Sequence, residues 1–270
     1  MNKGKAVGVI SIKGGVGKTT SVINLAHTLS NDFGKKVLVI DANFSSPNVA
    51  LHLGNMNARN SLNDLLSGKA KANEVVQKHQ FGFDVIAGAA GGSSSNYMKL
   101  KEKIQPLKSN YDVILLDSSP TLNEELLATM TAADELYVVS TPDLPTLSTT
   151  IRAVKLAKER KTNISGMILN KTRGKNYELK PHDMERLSGV PLVGVIKDNV
   201  RVLEALSKVK PMTMINPHSS VSLAYKQIAS HMVGMPFKQT SWHHKALGYL
   251  KDDFTNLSTH KFTKGLSYYK

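Results

Sequence analysis

Eight consecutive residues, Lys13-Gly14-Gly15-Val16-Gly17-Lys18-Thr19-Thr20, have the types and spacing to hold a polyphosphate. Three glycines in four positions let backbone N–H groups turn inward around an anion, and a helix starting just after them adds the positive end of its dipole. Lys18 can reach the terminal phosphates, and the Thr19 hydroxyl is a hard oxygen suited to Mg²⁺. The loop departs from the general Gly-x4-Gly-Lys-[Ser/Thr] pattern, because position 12 is Ile12 and a second lysine, Lys13, precedes the glycines. Two acids follow at the ends of apolar runs. Asp41 closes Lys36-Val37-Leu38-Val39-Ile40-Asp41, and Asp117 closes Val113-Ile114-Leu115-Leu116-Asp117. An acid at the carboxyl end of a buried parallel strand faces the ligand crevice. Asp117 is then expected beside Thr19, holding Mg²⁺ through water, with Asp41 as a further partner of that water shell.

The elements that must position these residues are legible as alternating patterns. Apolar runs at 6–12, 37–41, 83–88, 111–117, 135–140, 164–170 and 191–196 read as strands, most of them separated by helical periodicity. They predict an α/β fold, a mostly parallel twisted sheet of about seven strands with helices on both faces. The first run leads through the glycine loop into a helix with Ile23, Ala26 and Leu29 inward, the context that a phosphate-binding loop needs. Residues 49–80 read as helical on Leu62, Leu65, Leu66, Val75 and Val76, and residues 88–95 as a small-residue loop near the site. A basic amphipathic helix is expected with Ile151, Val154, Leu156 and Ala157 inward and Arg152, Lys155, Lys158, Arg160 and Lys161 outward. Leu203 to Met232 reads as helix around an interruption at 211–217. No repeat or low-complexity linker intervenes, so 1–235 is expected to be one P-loop ATPase domain, with 236–270 an amphipathic and basic tail.

The signature Lys-Gly-Gly-x-Gly-Lys-[Ser/Thr], met here at Lys13–Thr19, resembles the deviant phosphate loop of the MinD/ParA group of ATPases. That resemblance implies binding of Mg-ATP through Gly14, Gly15, Val16, Gly17, Lys18, Thr19 and Thr20, and an ATP-sandwich homodimer. It also implies that Lys13 crosses to the partner subunit's nucleotide. Asp41-Ala42-Asn43 resembles the family's first switch, commonly Asp-x-Asp, in which the second aspartate positions the attacking water. Asn43 can hydrogen-bond a water but cannot take its proton, so slow hydrolysis is expected. Ser118-Ser119-Pro120 resembles the second switch with one residue more than the usual Asp-x-Pro. By the same resemblance Asn170, ending its strand, reads the adenine base; a turn cap is the competing role. Lys197-Asp198 stands where relatives often carry a Pro-acid pair flanking the base. The implied function is a MinD-like spatial or cell-division switch with an unidentified activating protein. The alternative is a ParA-like, ATP-dependent, non-specific DNA binder; a metabolic ligase or kinase on the same fold ranks third, for want of a second substrate pocket.

Composition narrows these readings. There is no cysteine, so the cluster-binding relatives of this group, which hold iron–sulfur centres through thiolates, are excluded as models. His243-His244 is the one close histidine pair, and such neighbours point apart on a helix, so no metal beyond nucleotide-bound Mg²⁺ is expected. No apolar run approaches the about 20 residues of a membrane span. Met1–Lys5 leads directly into the first strand, and the expected location is cytoplasmic, with peripheral membrane association as an added reading. Charge is uneven: residues 1–150 carry 14 Lys and Arg against 13 Asp and Glu, and residues 151–270 carry 21 against 8. A basic second half suits an anionic membrane or nucleic acid, though general solubility also explains it. In the tail, Trp242, Ala246, Leu250, Phe254 and Leu257 recur on one helical face. MinD-type proteins bind anionic lipid through such a helix, which makes 237–270 the candidate membrane contact. Asp252-Asp253 argues against lipid, and packing on its own domain is the other reading.

Overall fold

The computed structural model describes residues 4–54, 60–89 and 97–237. Its first strand, β1 (Lys5–Ile10), is buried on both faces and runs into the glycine loop and α1 (Lys18–Asn31). Then come β2 (Val37–Ala42), α2 (Val49–His52), α3 (Leu62–Ser67), α4 (Ala72–Val75), β3 (Gln77–Lys78) and β4 (Asp84–Ile86). The chain continues through α5 (Leu100–Ile104), β5 (Val113–Ser118), α6 (Glu124–Ala132), β6 (Glu135–Ser140), α7 (Leu144–Glu159) and β7 (Asn163–Thr172). It closes with α8 (Pro181–Ser188), β8 (Leu192–Lys197), α9 (Val200–Ser207), α10 (Met212–Ile215) and α11 (Ser220–Val233).

The strands form one sheet in the order β3-β4-β2-β5-β1-β6-β7-β8, parallel throughout except for β3 against β4. Strands buried on both faces need continuous apolar runs, and the central four have them. One layer packs α1 and α9–α11 against the sheet through Val22, Leu25, Leu29, Val221, Tyr225 and Ile228. The other packs α3, α5, α6 and α7 through Leu62, Leu66, Ile104, Leu126, Met130 and Ala157. Helix ends are set locally. Asn123 caps α6 by accepting from Leu126 N–H, Asp143 caps α7 by accepting from Thr146 N–H, and Ser219 caps α11 by accepting from Ser222 N–H.

The order of strands is what assembles the site. β5 lies between β2 and β1, in a register that sets Asp41 opposite Asp117 and Asp117 opposite Val9, one residue before the end of β1. Both acids therefore stand at the same sheet edge as the glycine loop.

The expected mostly parallel sheet of about seven strands is found, with eight among the described residues; the eighth, β3, is a two-residue antiparallel edge within 49–80. The helical reading of 49–80 is corrected: its described residues hold three short helices and β3, since Gly68, at φ 79°, ends α3 in the left-handed conformation and Val76 is already extended. The interruption after Leu203 holds a single helical turn, α10. No described helix is long and apolar enough to cross a membrane. Residues 90–95 of the small-residue loop and the apolar tail positions from Trp242 to Leu257 lie outside the described residues.

Candidate functional site

Gly15 and Gly17 have φ of 75° and 98°, a region that side chains rarely adopt. At Gly17 there is a second constraint: a Cβ would lie 2.3 Å from Asn170 Nδ2. Asn170, at the end of β7, donates that amide to the Val16 carbonyl at 2.7 Å. Its neighbour Lys171, itself at φ 57°, donates Nζ to the Gly15 carbonyl at 2.7 Å. The loop is thus braced from β7 by two side chains. Sequence reasoning missed Lys171 altogether, since an exposed lysine after a strand carries no distinguishing signal.

Lys18 is 7% exposed. Burial lowers its pKa, and the charge of Asp117 pulls it back up. Thr19 Oγ1 donates to Asp117 Oδ2 at 2.6 Å, while Asp117 Oδ1 is buried with no partner. Beside it, Asp41 is fully buried and accepts from Asn43 N–H at 3.3 Å and Val49 N–H at 2.9 Å. Burial raises both carboxylates, and the charge of Asp117 raises Asp41 further; the Thr19 hydroxyl and the Lys18 ammonium partly offset this at Asp117. Two adjacent buried acids, one with an orphaned oxygen beside a threonine hydroxyl, are a donor set that a hydrated divalent cation satisfies. Thr19, Asp117 and Asp41 therefore fit Mg²⁺; among the described residues there is no group of three or more His, Asp or Glu side chains placed to hold a metal ion.

Asn43 is 5% exposed. Its Nδ2 donates to the Ser46 carbonyl, and its Oδ1 is buried without a partner. Lys13 is engaged within its own chain: Nζ lies 3.0 Å from Asp143 Oδ1 and 2.7 Å from Thr146 Oγ1, at the N-terminus of α7.

A cleft of about 530 Å³ opens over the loop, a size in the range of small-molecule sites. Gly14, Gly15, Gly17, Lys18, Thr19, Thr20, Asn43 and Asn170 line the glycine-loop end; Arg173, Ile196, Lys197, Asp198 and Leu203 line the other. Arg173 Nε donates to Asp198 Oδ2 at 2.7 Å across that second end. Arg173 and Leu203 were also missed, because they sit beyond β7 and on α9 with no motif around them.

The architecture is shared with known proteins. Residues 7–212 match the CobQ/CobB/MinD/ParA nucleotide binding domain. An ATP-binding protein of unassigned role from Methanocaldococcus jannaschii is 30% identical over 266 residues, covering 97% of this chain and 96% of that protein. The chromosome partitioning protein ParA of Caulobacter vibrioides is 30% identical over 251 residues, covering 85% of this chain and 94% of ParA. The structure of the septum site-determining protein MinD of Pyrococcus horikoshii, complexed with Mg-ADP, superposes with a TM-score of 0.80 at 28% identity, covering 84% of this chain and 95% of that one. With three quarters of its length inside the matched domain, the chain belongs to the CobQ/CobB/MinD/ParA family of nucleotide-binding proteins.

Proposed function

We propose that this protein is a MinD-like ATPase: it binds Mg-ATP, pairs with a second copy across the nucleotide, and serves as a slow spatial or cell-division switch. The observation that carries the reading is the buried Thr19–Asp117 contact with its orphaned carboxylate oxygen, directly beneath a glycine loop open to a nucleotide-sized cleft. Backbone N–H groups of Gly14–Thr20 and the start of α1 bind the phosphates, and Lys18 neutralises the β- and γ-oxygens. Thr19, Asp117 and Asp41 would hold Mg²⁺, which would supply charge neutralisation of the phosphate oxygens. Asn43 orients the attacking water through Oδ1 without accepting its proton, which makes turnover slow. Asn170 keeps its carbonyl oxygen available to the amino group of the base while its amide braces Val16. For Lys13 to act on a partner's nucleotide it must exchange its contacts with Asp143 and Thr146.

The partner surface defines a second reading. On α7, Arg152, Lys155 and Lys158 are exposed, with Arg160 and Lys161 exposed just beyond its end, and this face supports ParA-like, ATP-dependent DNA binding. Co-sedimentation with anionic vesicles and with duplex DNA, each with and without ATP, separates the two. Vesicle binding that needs ATP and disappears on deleting residues 237–270 supports the switch at a membrane. Duplex binding that needs ATP and weakens steeply with salt replaces it with the DNA reading.

A further inference from the structure

Glu125 stands on the first turn of α6, 5% exposed, and no cation pairs with it among the described residues. Its carboxylate makes one side-chain hydrogen bond among the described residues. That contact is with the loop bearing Asn43: Ser45 Oγ donates to Glu125 Oε2 at 3.2 Å. Ser45 is itself exposed. The same loop is also held by other contacts among the described residues, including the Asn43 and Asn48 amides on the Ser46 carbonyl. Phe44 stacks on Tyr97 at 4.5 Å, and the Asp41 carboxylate accepts from Asn43 N–H and Val49 N–H.

α6 is the helix that follows the Asp117 loop. Its cap, Asn123, donates Nδ2 to Ser119 Oγ at 3.3 Å, and Ser119 also meets Thr121 Oγ1 at 3.1 Å. A continuous path therefore runs from the loop after Asp117, through Ser119 and Asn123 into α6, and from Glu125 through Ser45 to Asn43. We propose that Glu125 is a positioning residue for ATP hydrolysis, fixing the Asn43 loop through Ser45; this rests on the ATPase reading above. The physical need follows from the amide at position 43. An amide at position 43 contributes only by orienting a water, so its effect depends on where Oδ1 is held, whereas a carboxylate would also contribute basicity. Asn43 Nδ2 is committed to the Ser46 carbonyl, which leaves the placement of the whole loop to set the placement of Oδ1.

The test is steady-state ATP hydrolysis, with separate nucleotide-binding titrations, on Ser45→Ala, Glu125→Ala, Glu125→Gln and the Ser45→Ala/Glu125→Ala pair. Losing one hydrogen bond to a charged acceptor should lower kcat roughly tenfold in each alanine variant, with KM within about twofold of the unaltered protein. The double variant should be no slower than either single one. Glu125→Gln should recover most of kcat, because its amide oxygen still accepts from Ser45. Ser45→Ala tests the contact from the exposed side, where folding is not at stake. Unaltered kcat in Ser45→Ala overturns the proposal, as does a loss that falls on KM, additivity in the pair, or no recovery in Glu125→Gln. Hydrolysis that survives Lys18→Ala, or its absence in the unaltered protein, overturns the ATPase reading itself and is told apart by that control.

Discussion

The two ends of the cleft are built on different principles. At the phosphate end, Lys18, Asp41 and Asp117 are buried to within a few per cent and anchored on strand ends and the first turn of α1. At the other end, Arg173, Lys197 and Asp198 are exposed and sit on connections or at a strand terminus, with Arg173 held by an ion pair in water. At the first end the charges are desolvated, so removing one leaves the others buried without it. The second can change side chains without exposing a buried charge. The difference predicts that substitutions at the glycine-loop end are severe and those at the other end mild.

The sharpest break would come at Lys18. Lys18→Ala should weaken ATP binding by about a hundredfold or more, since it removes the charge facing the β- and γ-phosphates. Isothermal titration giving unchanged affinity would sink the phosphate-loop assignment and with it the contrast between the two ends. Asn43→Asp should raise single-turnover hydrolysis on the order of tenfold, within the usual range for a positioned base, and shorten the life of the ATP-bound dimer. Equal rates in the two forms would mean that position 43 does not orient the water. Lys13→Ala should leave ATP affinity within about twofold, because Lys13 is bound to Asp143 and Thr146 and not to the glycine loop, yet abolish dimerisation on ATP. A normal ATP-dependent dimer by size-exclusion with light scattering would end the trans role. Smallest of all, Arg173→Ala should weaken ATP binding by no more than about fivefold, as expected when an exposed ion pair is lost. A loss as large as that of Lys18→Ala would erase the distinction between the ends.

The same division decides what the sequence discloses. Glycine spacing and an acid closing an apolar run are local signals, and they suffice for the sheet, the loop and the acids at its edge. The strand order then follows from side-to-side packing, and with it the 2.6 Å approach of Thr19 to Asp117. Contacts that depend on two distant side chains leave no local trace. Lys171 on Gly15, Lys13 on Asp143, and Glu125 on Ser45 are all of this kind. β3 escaped because two residues are too few to show alternation, and the helical reading of 49–80 failed at Gly68, where a left-handed residue stops the helix. The other end escaped because its exposed residues are not constrained by packing, so they leave no pattern in the sequence.

The central place of β1 has a further consequence, for the nascent chain. Its two neighbours are β5 and β6, with Lys5 opposite Val113 and Val7 opposite Glu135. At a synthesis rate of about 5–20 residues per second, roughly 5–20 s pass between the emergence of β1 and that of its first neighbour. During that interval the apolar strand that will carry the phosphate loop has no native partner on either edge. Long-range parallel pairing of this kind makes folding slow and leaves an aggregation-prone segment waiting. The glycine loop is thus made well before the strands that fix its shape, and a ligand that needs that shape cannot assist folding until the chain has passed β5.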